Sequence, residues 1–150
     1  MEKKNVSFIP QHTKECGVTQ TIFVGCSWDM KTRAGSASYI ILDRKDSLYL
    51  NNSGKLEVVD TIKLLLLSIW SALVKVKDNS GVRIVTNNNA IIYTLNEKNI
   101  GNDVQPDIKK KILAEASRMD FVFMSRPETK KDKECMAKVN NLSRLVRRDF

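Results

Sequence analysis

Histidine and cysteine are scarce in this chain, and that scarcity excludes several kinds of chemistry. There is one histidine, His12. His12 and Cys16 have the spacing of a ligand pair, but no further ligands lie close by, so a zinc centre is not expected. A serine triad would have to recruit His12 from a polar stretch without periodicity. The three cysteines, Cys16, Cys26 and Cys135, are odd in number, widely spaced and free of any Cys-x-x-Cys pair. That pattern points to free thiols in a reducing compartment, the cytoplasm first and the nucleus second, rather than to a disulfide framework. Glycine-rich phosphate loops of the G-x-x-x-x-G-K-[ST] or G-x-G-x-x-G kind are missing, so nucleotide-driven chemistry has no support and no cofactor is expected. No cationic segment followed by an apolar run opens the chain, so a secretory leader is not expected. The longest apolar stretch, residues 62–76, is interrupted by Lys63, Ser68, Ser71 and Lys75, too short and too polar for a membrane span.

What is present is ordinary for a folded domain. The chain has 150 residues, 42% hydrophobic and 28% charged, enough for one domain with a real core. Its formal net charge of +8 favours anionic partners, either nucleic acid or an acidic protein surface. Residues 1–18 read as an N-terminal extension and 19–150 as the domain. β-Branched and aromatic residues mark strands at 19–28, 36–43 and 47–51. Asn51-Asn52-Ser53-Gly54 is turn chemistry. Ile62, Leu65, Leu66, Ile69, Leu73 and Val76 recur at helical spacing behind Asp60 or Thr61 and predict a helix to about residue 77. A nearly continuous apolar strand at 82–86 suits a central position. A short helix at 88–96, a helix at 107–118 behind Pro106, a strand at 121–124 and a final helix at 132–148 complete the chain. The order βββαβααβα predicts an α/β fold with a mixed five-stranded sheet flanked by helices.

Residues 24–42, VGCSWDMKTRAGSASYIIL, carry the most specific pattern. With one glycine deleted, Val24, Ser27, Trp28, Asp29, Thr32, Arg33, Ala34 and Gly35 follow the V-D-G-S-F-D-x-x-T-G-R-A-G pattern of the first hairpin in ribonuclease H-like domains. Thr86-Asn87-Asn88 is similar to that family's strand-ending T-D-S. The chain therefore resembles a ribonuclease H-like domain from about residue 19 to 148, and the element order agrees with the resemblance.

The resemblance implies acidic positions around two magnesium ions, which need hard oxygen ligands. They fall on Gly25, Asp60, Asn87 and Met136. Gly25 has no side chain, and a gap-free alignment would substitute Cys26. Asp60, or Glu57 close by, is the nearest acid at the second position, although Asp60 is equally suited to start a helix. Asn87 offers a neutral carbonyl oxygen, and the fourth position falls on Met136 or Cys135, with Asp132 and Glu134 out of register. A pseudoenzyme is the expectation, without metal. Only a realigned set of Asp29, Asp60 and Glu134 would restore a divergent magnesium-dependent nuclease.

Binding then becomes the expected function. By resemblance Lys31 and Arg33 lie beside a substrate groove, and with Arg126 and Lys131 they are candidate phosphate contacts. Asn87 and Asn88 are candidates for hydrogen bonds to sugars or bases, or else for caps of the following helix. The expected ligand is RNA or an RNA–DNA hybrid. The alternative is a protein-interaction or inhibitory subunit, heteromeric or a homodimer. It would use a second apolar set on the long helix, Leu64, Leu67, Trp70 and Val74, unless the N-terminal extension covers it.

Overall fold

The computed structural model describes residues 5–10, 17–29, 31–52, 56–57, 61–96 and 106–148. Its strands are β1 (Asn5–Pro10), β2 (Gln20–Trp28), β3 (Ala34–Asp43), β4 (Leu48–Asn52), β5 (Leu56–Glu57), β6 (Gly81–Val85) and β7 (Phe121–Ser125). Its helices are α1 (Thr61–Lys75), α2 (Asn89–Asn96), α3 (Pro106–Ala116) and α4 (Lys130–Arg148). The five expected strands are β2, β3, β4, β6 and β7, and all four expected helices form. Two further strands join them in a single mixed sheet ordered β1-β7-β6-β2-β3-β4, with β5 pairing β3 beside β4. β1 arises within the stretch expected as an extension and pairs parallel to β7. β2, β3 and β4 form an antiparallel meander, and β6 then lies parallel to β2.

Alternation along the strands divides the core in two. Ile22 and Val24 of β2, Val82 and Ile84 of β6, and Val122 and Met124 of β7 face α1, α2 and α3. Phe23, Ile40 and Val85 point to the other face, where Cys135, Met136 and Val139 of α4 cover them. Period-two alternation places successive side chains on opposite faces, so a fully apolar strand such as β6 needs helices on both.

Small residues set how closely α4 approaches. A Cβ added to Gly25 would lie 2.5 Å from Asn140 Oδ1 and 3.1 Å from Val139 Cγ1. On the adjoining strand, buried Ser36 donates to the Ser143 carbonyl at 2.5 Å, and Ser143 donates from its hydroxyl to Ser38 Oγ at 2.6 Å. From the opposite face Ser68 of α1 donates to the Ser38 carbonyl. One residue of β3 thus ties both helix layers to the sheet.

The long helix corrects an expectation. Leu64 is fully buried, and Trp70 packs against the core rather than standing free as a partner anchor. α3 covers this side, with Lys111 Nζ 5.0 Å from the centre of the Trp70 ring. Leu67 is half-buried and Val74 is exposed. Of the second apolar set, Trp70 therefore lies beside the chain's own third helix, Leu64 is wholly buried, and Val74 is left exposed. Trp70→Ala is accordingly expected to lower stability by about 1–3 kcal/mol, less than for a wholly buried aromatic. Chemical denaturation measures this.

Candidate functional site

Beyond the end of β6, beside the middle of β2, a cleft of about 130 Å³ opens between the two helix layers. Strand length dictates it: β6 stops at Val85, level with Phe23, while its parallel neighbour β2 runs on to Trp28. Such crevices beyond the carboxyl ends of strands are where open α/β sheets hold ligands. The cleft is lined by Val24, Gly25, Cys26, Thr61, Leu65, Thr86, Asn87, Asn88, Met136 and Asn140. Gly25, Asn87 and Met136, far apart in sequence, therefore meet at one place. Asp60 lies outside the described residues, although its neighbour Thr61 lines the same cleft.

The chemistry of this lining is neutral. Met136 presents a thioether and Asn87 an amide. Burial pushes the Cys26 thiol up to about 11, so it stays protonated at neutral pH and is neither a ready nucleophile nor a ready ligand. Two hard divalent cations do not fit such a set. Among the described residues, no group of three or more His, Cys, Asp or Glu side chains gathers where it would hold a metal ion.

The other acids have different work. Asp29 Oδ1 accepts the Lys31 N–H at 2.8 Å and shapes the hairpin loop. Asp132 is buried against Arg83, 2.7 Å from Nη2. Its Oδ2 also accepts the Glu128 N–H at 2.8 Å and the Thr129 N–H at 3.2 Å. Glu134 is exposed, two positions before Met136 and so about 200° around the helix from it.

Asn140 is the residue that sequence reasoning missed. It lies one turn after Met136, its Oδ1 2.5 Å from where a Cβ on Gly25 would stand. Its signal was the helical spacing from Met136, legible only once α4 was known to cross β2. One turn further, exposed Arg144 follows Ser143, whose carbonyl is anchored to Ser36 near the hairpin end of β3.

The candidate basic residues do not form one group. Lys31 and Arg33 are exposed in the β2–β3 loop, with Arg33 in a left-handed conformation at φ 56°. Asn87 and Asn88 follow the carboxyl end of β6, and Arg126 that of β7; both strands stop level with Phe23, five residues short of Trp28 at the hairpin end of β2. Arg126 donates to Asn89 Oδ1 at the start of α2. Asn88 acts as the cap of that helix: its Oδ1 accepts the Ile91 N–H at 3.1 Å, and its own N–H donates to Thr86 Oγ1 at 3.1 Å. Lys131 is the exception. It pairs with Asp46 at 2.9 Å, in the turn that joins β3 to β4. That turn lies at the opposite end of the β2–β3 ladder, about 27 Å from the loop at roughly 3.4 Å per residue.

None of the described helices is long and apolar enough to cross a membrane. No protein-family model matches this chain, and no curated protein matches it.

Proposed function

We propose that this chain is a non-catalytic ribonuclease H-like domain that binds RNA or an RNA–DNA hybrid. The observation that carries the reading is the cleft: three of the four positions where that family would place metal-binding carboxylates converge there, and they are glycine, asparagine and methionine. The meander followed by a strand parallel to its first member supports the family part of the reading. Lys31 and Arg33 are the phosphate contacts, with Arg144 at the same end of the sheet, Arg126 further along it where β7 ends, and Lys131 outside the group. Asn87 and Asn140, whose side chains have no hydrogen-bond partner among the described residues, supply neutral donors and acceptors to sugar or base edges.

Binding of a labelled RNA–DNA hybrid, followed by fluorescence anisotropy across salt concentrations, tests this. Lys31→Ala/Arg33→Gly/Arg144→Ala is expected to weaken binding about 10- to 1000-fold and to reduce the log–log salt slope by about 2–3, near one unit per lost phosphate contact. Arg33→Gly removes the charge while relieving a left-handed backbone, so instability cannot account for the loss. Binding that is indifferent to salt and to these replacements would sink the proposal. Magnesium-dependent cleavage abolished by Asp60→Asn would establish a divergent nuclease instead.

A further inference from the structure

The sheet ends at β4, and this edge is built unlike a protected one. Natural edge strands are blunted by lysine, proline, bulges or a covering element. β4 reads Leu-Tyr-Leu-Asn-Asn. Leu48, Tyr49 and Leu50 are 42%, 48% and 52% exposed, three of the five large hydrophobic side chains exposed among the described residues. Tyr49 is held in place by stacking on Tyr39, with ring centroids 6.1 Å apart. Beside the strand runs a groove of about 400 Å³ between β4 and the end of α1, floored by Ile41, Tyr49 and Val76. Lys75 and Lys77 line it as well.

The charges at this groove are unbalanced. Lys75 and Lys77 are exposed and have no ionic partner among the described residues. One acid, Asp43, lines the groove with them, so the two lysines leave the rim with a net charge of +1, and the other nearby acids are paired. Asp43 Oδ1 accepts the N–H groups of Lys45 and Ser47, both at 2.9 Å. Asp46 pairs with Lys131, and Asp78 with Arg118. A second copy of this chain pairing through β4 would bring equally basic rims together in a molecule of net charge +8. An acidic strand would instead neutralise the rim.

We infer that β4 is a docking edge for an extended, acidic protein segment that adds a strand to the sheet. Backbone hydrogen bonds to the outer edge of β4, which pairs with no further strand among the described residues, supply affinity, alternate apolar side chains enter the groove over Tyr49 and Val76, and carboxylates meet Lys75 and Lys77. This surface belongs to a different edge from the cleft, and the inference stands whether or not the cleft binds nucleic acid.

The test uses the full chain and a fluorescein-labelled peptide of alternating valine and glutamate, about eight residues long, enough to span the strand. Its counterparts are a valine–lysine peptide, a peptide of the same composition with the glutamates in one block, and an oligouridylate. The alternating acidic peptide is expected to bind at least about tenfold more tightly than the others and to protect the β4 amides from hydrogen exchange. Lys75→Glu/Lys77→Glu and, separately, Leu50→Lys are expected to abolish that preference. Both replace exposed residues, and unfolding transitions near that of the parent would show the variants folded. Equal binding of the lysine peptide, or no protection of β4, would overturn the inference. So would tighter binding of the oligouridylate at this edge, which would make it a nucleic-acid surface. A dimer in sedimentation equilibrium that Leu50→Lys dissolves would make the occupant a second copy.

Discussion

Replacing Asp132 by alanine is expected to cost this fold about 3–5 kcal/mol, the range for removing one partner of a buried ion pair. Both side chains of the Arg83–Asp132 pair are nearly inaccessible, 6% and 7% exposed. Two bonds join them, Nη2 to Oδ2 at 2.7 Å and Nη1 to Oδ1 at 3.1 Å. Without the carboxylate, a guanidinium is left buried on β6 between the sheet and α4. The Glu128 and Thr129 N–H groups lose their acceptor too, which frees the loop that carries Arg126. Removing both partners is a different experiment. Arg83 Nε is already buried without a hydrogen-bond partner among the described residues. Arg83→Met/Asp132→Leu is therefore expected to be milder than the single replacement, with a residual cost from the Glu128 and Thr129 N–H groups, which lose their acceptor in both. Urea unfolding of the singles and the double decides this. A mild effect of Asp132→Ala alone would mean that water reaches the guanidinium.

The same pair gives a pH dependence of known sign. Burial by itself would raise the Asp132 pKa. The hydrogen bonds from Arg83, Glu128 and Thr129 overcome it and hold the carboxyl below its ordinary value. A lowered folded-state pKa means that the contribution is complete above the unfolded value, near 4. It is lost as pH falls through the lowered folded value. Asp132→Asn should accordingly flatten the acid limb of the stability profile below about pH 4.

Installing the carboxylate that the ribonuclease H resemblance leaves out, Gly25→Asp, is expected to destabilise by about 3–5 kcal/mol and to create no nuclease. The first Cβ already meets Asn140 Oδ1 at 2.5 Å, and the Asn140 backbone nitrogen at 3.3 Å leaves the helix itself little room to yield. Gly25→Ala isolates this crowding, at about 1–3 kcal/mol. The aspartate adds a charge in a buried position beside a cleft lined by neutral groups, asparagine amides, threonine hydroxyls, a thioether and a thiol, with no cation among them. Gly25→Asp/Asn140→Ala should recover the crowding part but not the charge. Thermal unfolding of the three variants separates these contributions. Near-wild-type stability of Gly25→Asp would show that α4 retreats easily and that the cleft still accommodates a carboxylate.

Much of the architecture was legible because it rests on periodicity. The alternation of Ile22, Phe23 and Val24 and the helical recurrence of Leu65, Leu66, Ile69 and Leu73 are local signals, and burial follows them. β1 escaped because a six-residue edge strand has little pattern of its own and exists by pairing with β7. Leu64 and Trp70 were misplaced for a related reason. The helix displays apolar residues on two faces, and no local rule says that α3 returns to cover the second. Lys131 stands apart from Lys31 and Arg33 because charge density along the chain is not charge density in space: it lies in the first turn of α4, paired with Asp46 at the other end of the β2–β3 ladder.

For the site, the sequence by itself determined composition: which residue types stand at 25, 87 and 136, and that none is a carboxylate. Those identities already argue against two-metal chemistry, since magnesium needs oxygen ligands with charge. Only the tertiary structure decided that these three positions share a cleft, that Asn140 stands against Gly25, and that β4 is left as an open edge beside Lys75 and Lys77. The physical reason is common to all three. Helix-to-sheet distance, strand order and edge exposure are set by packing between segments distant in sequence, and local residue preferences carry no record of which segments will meet.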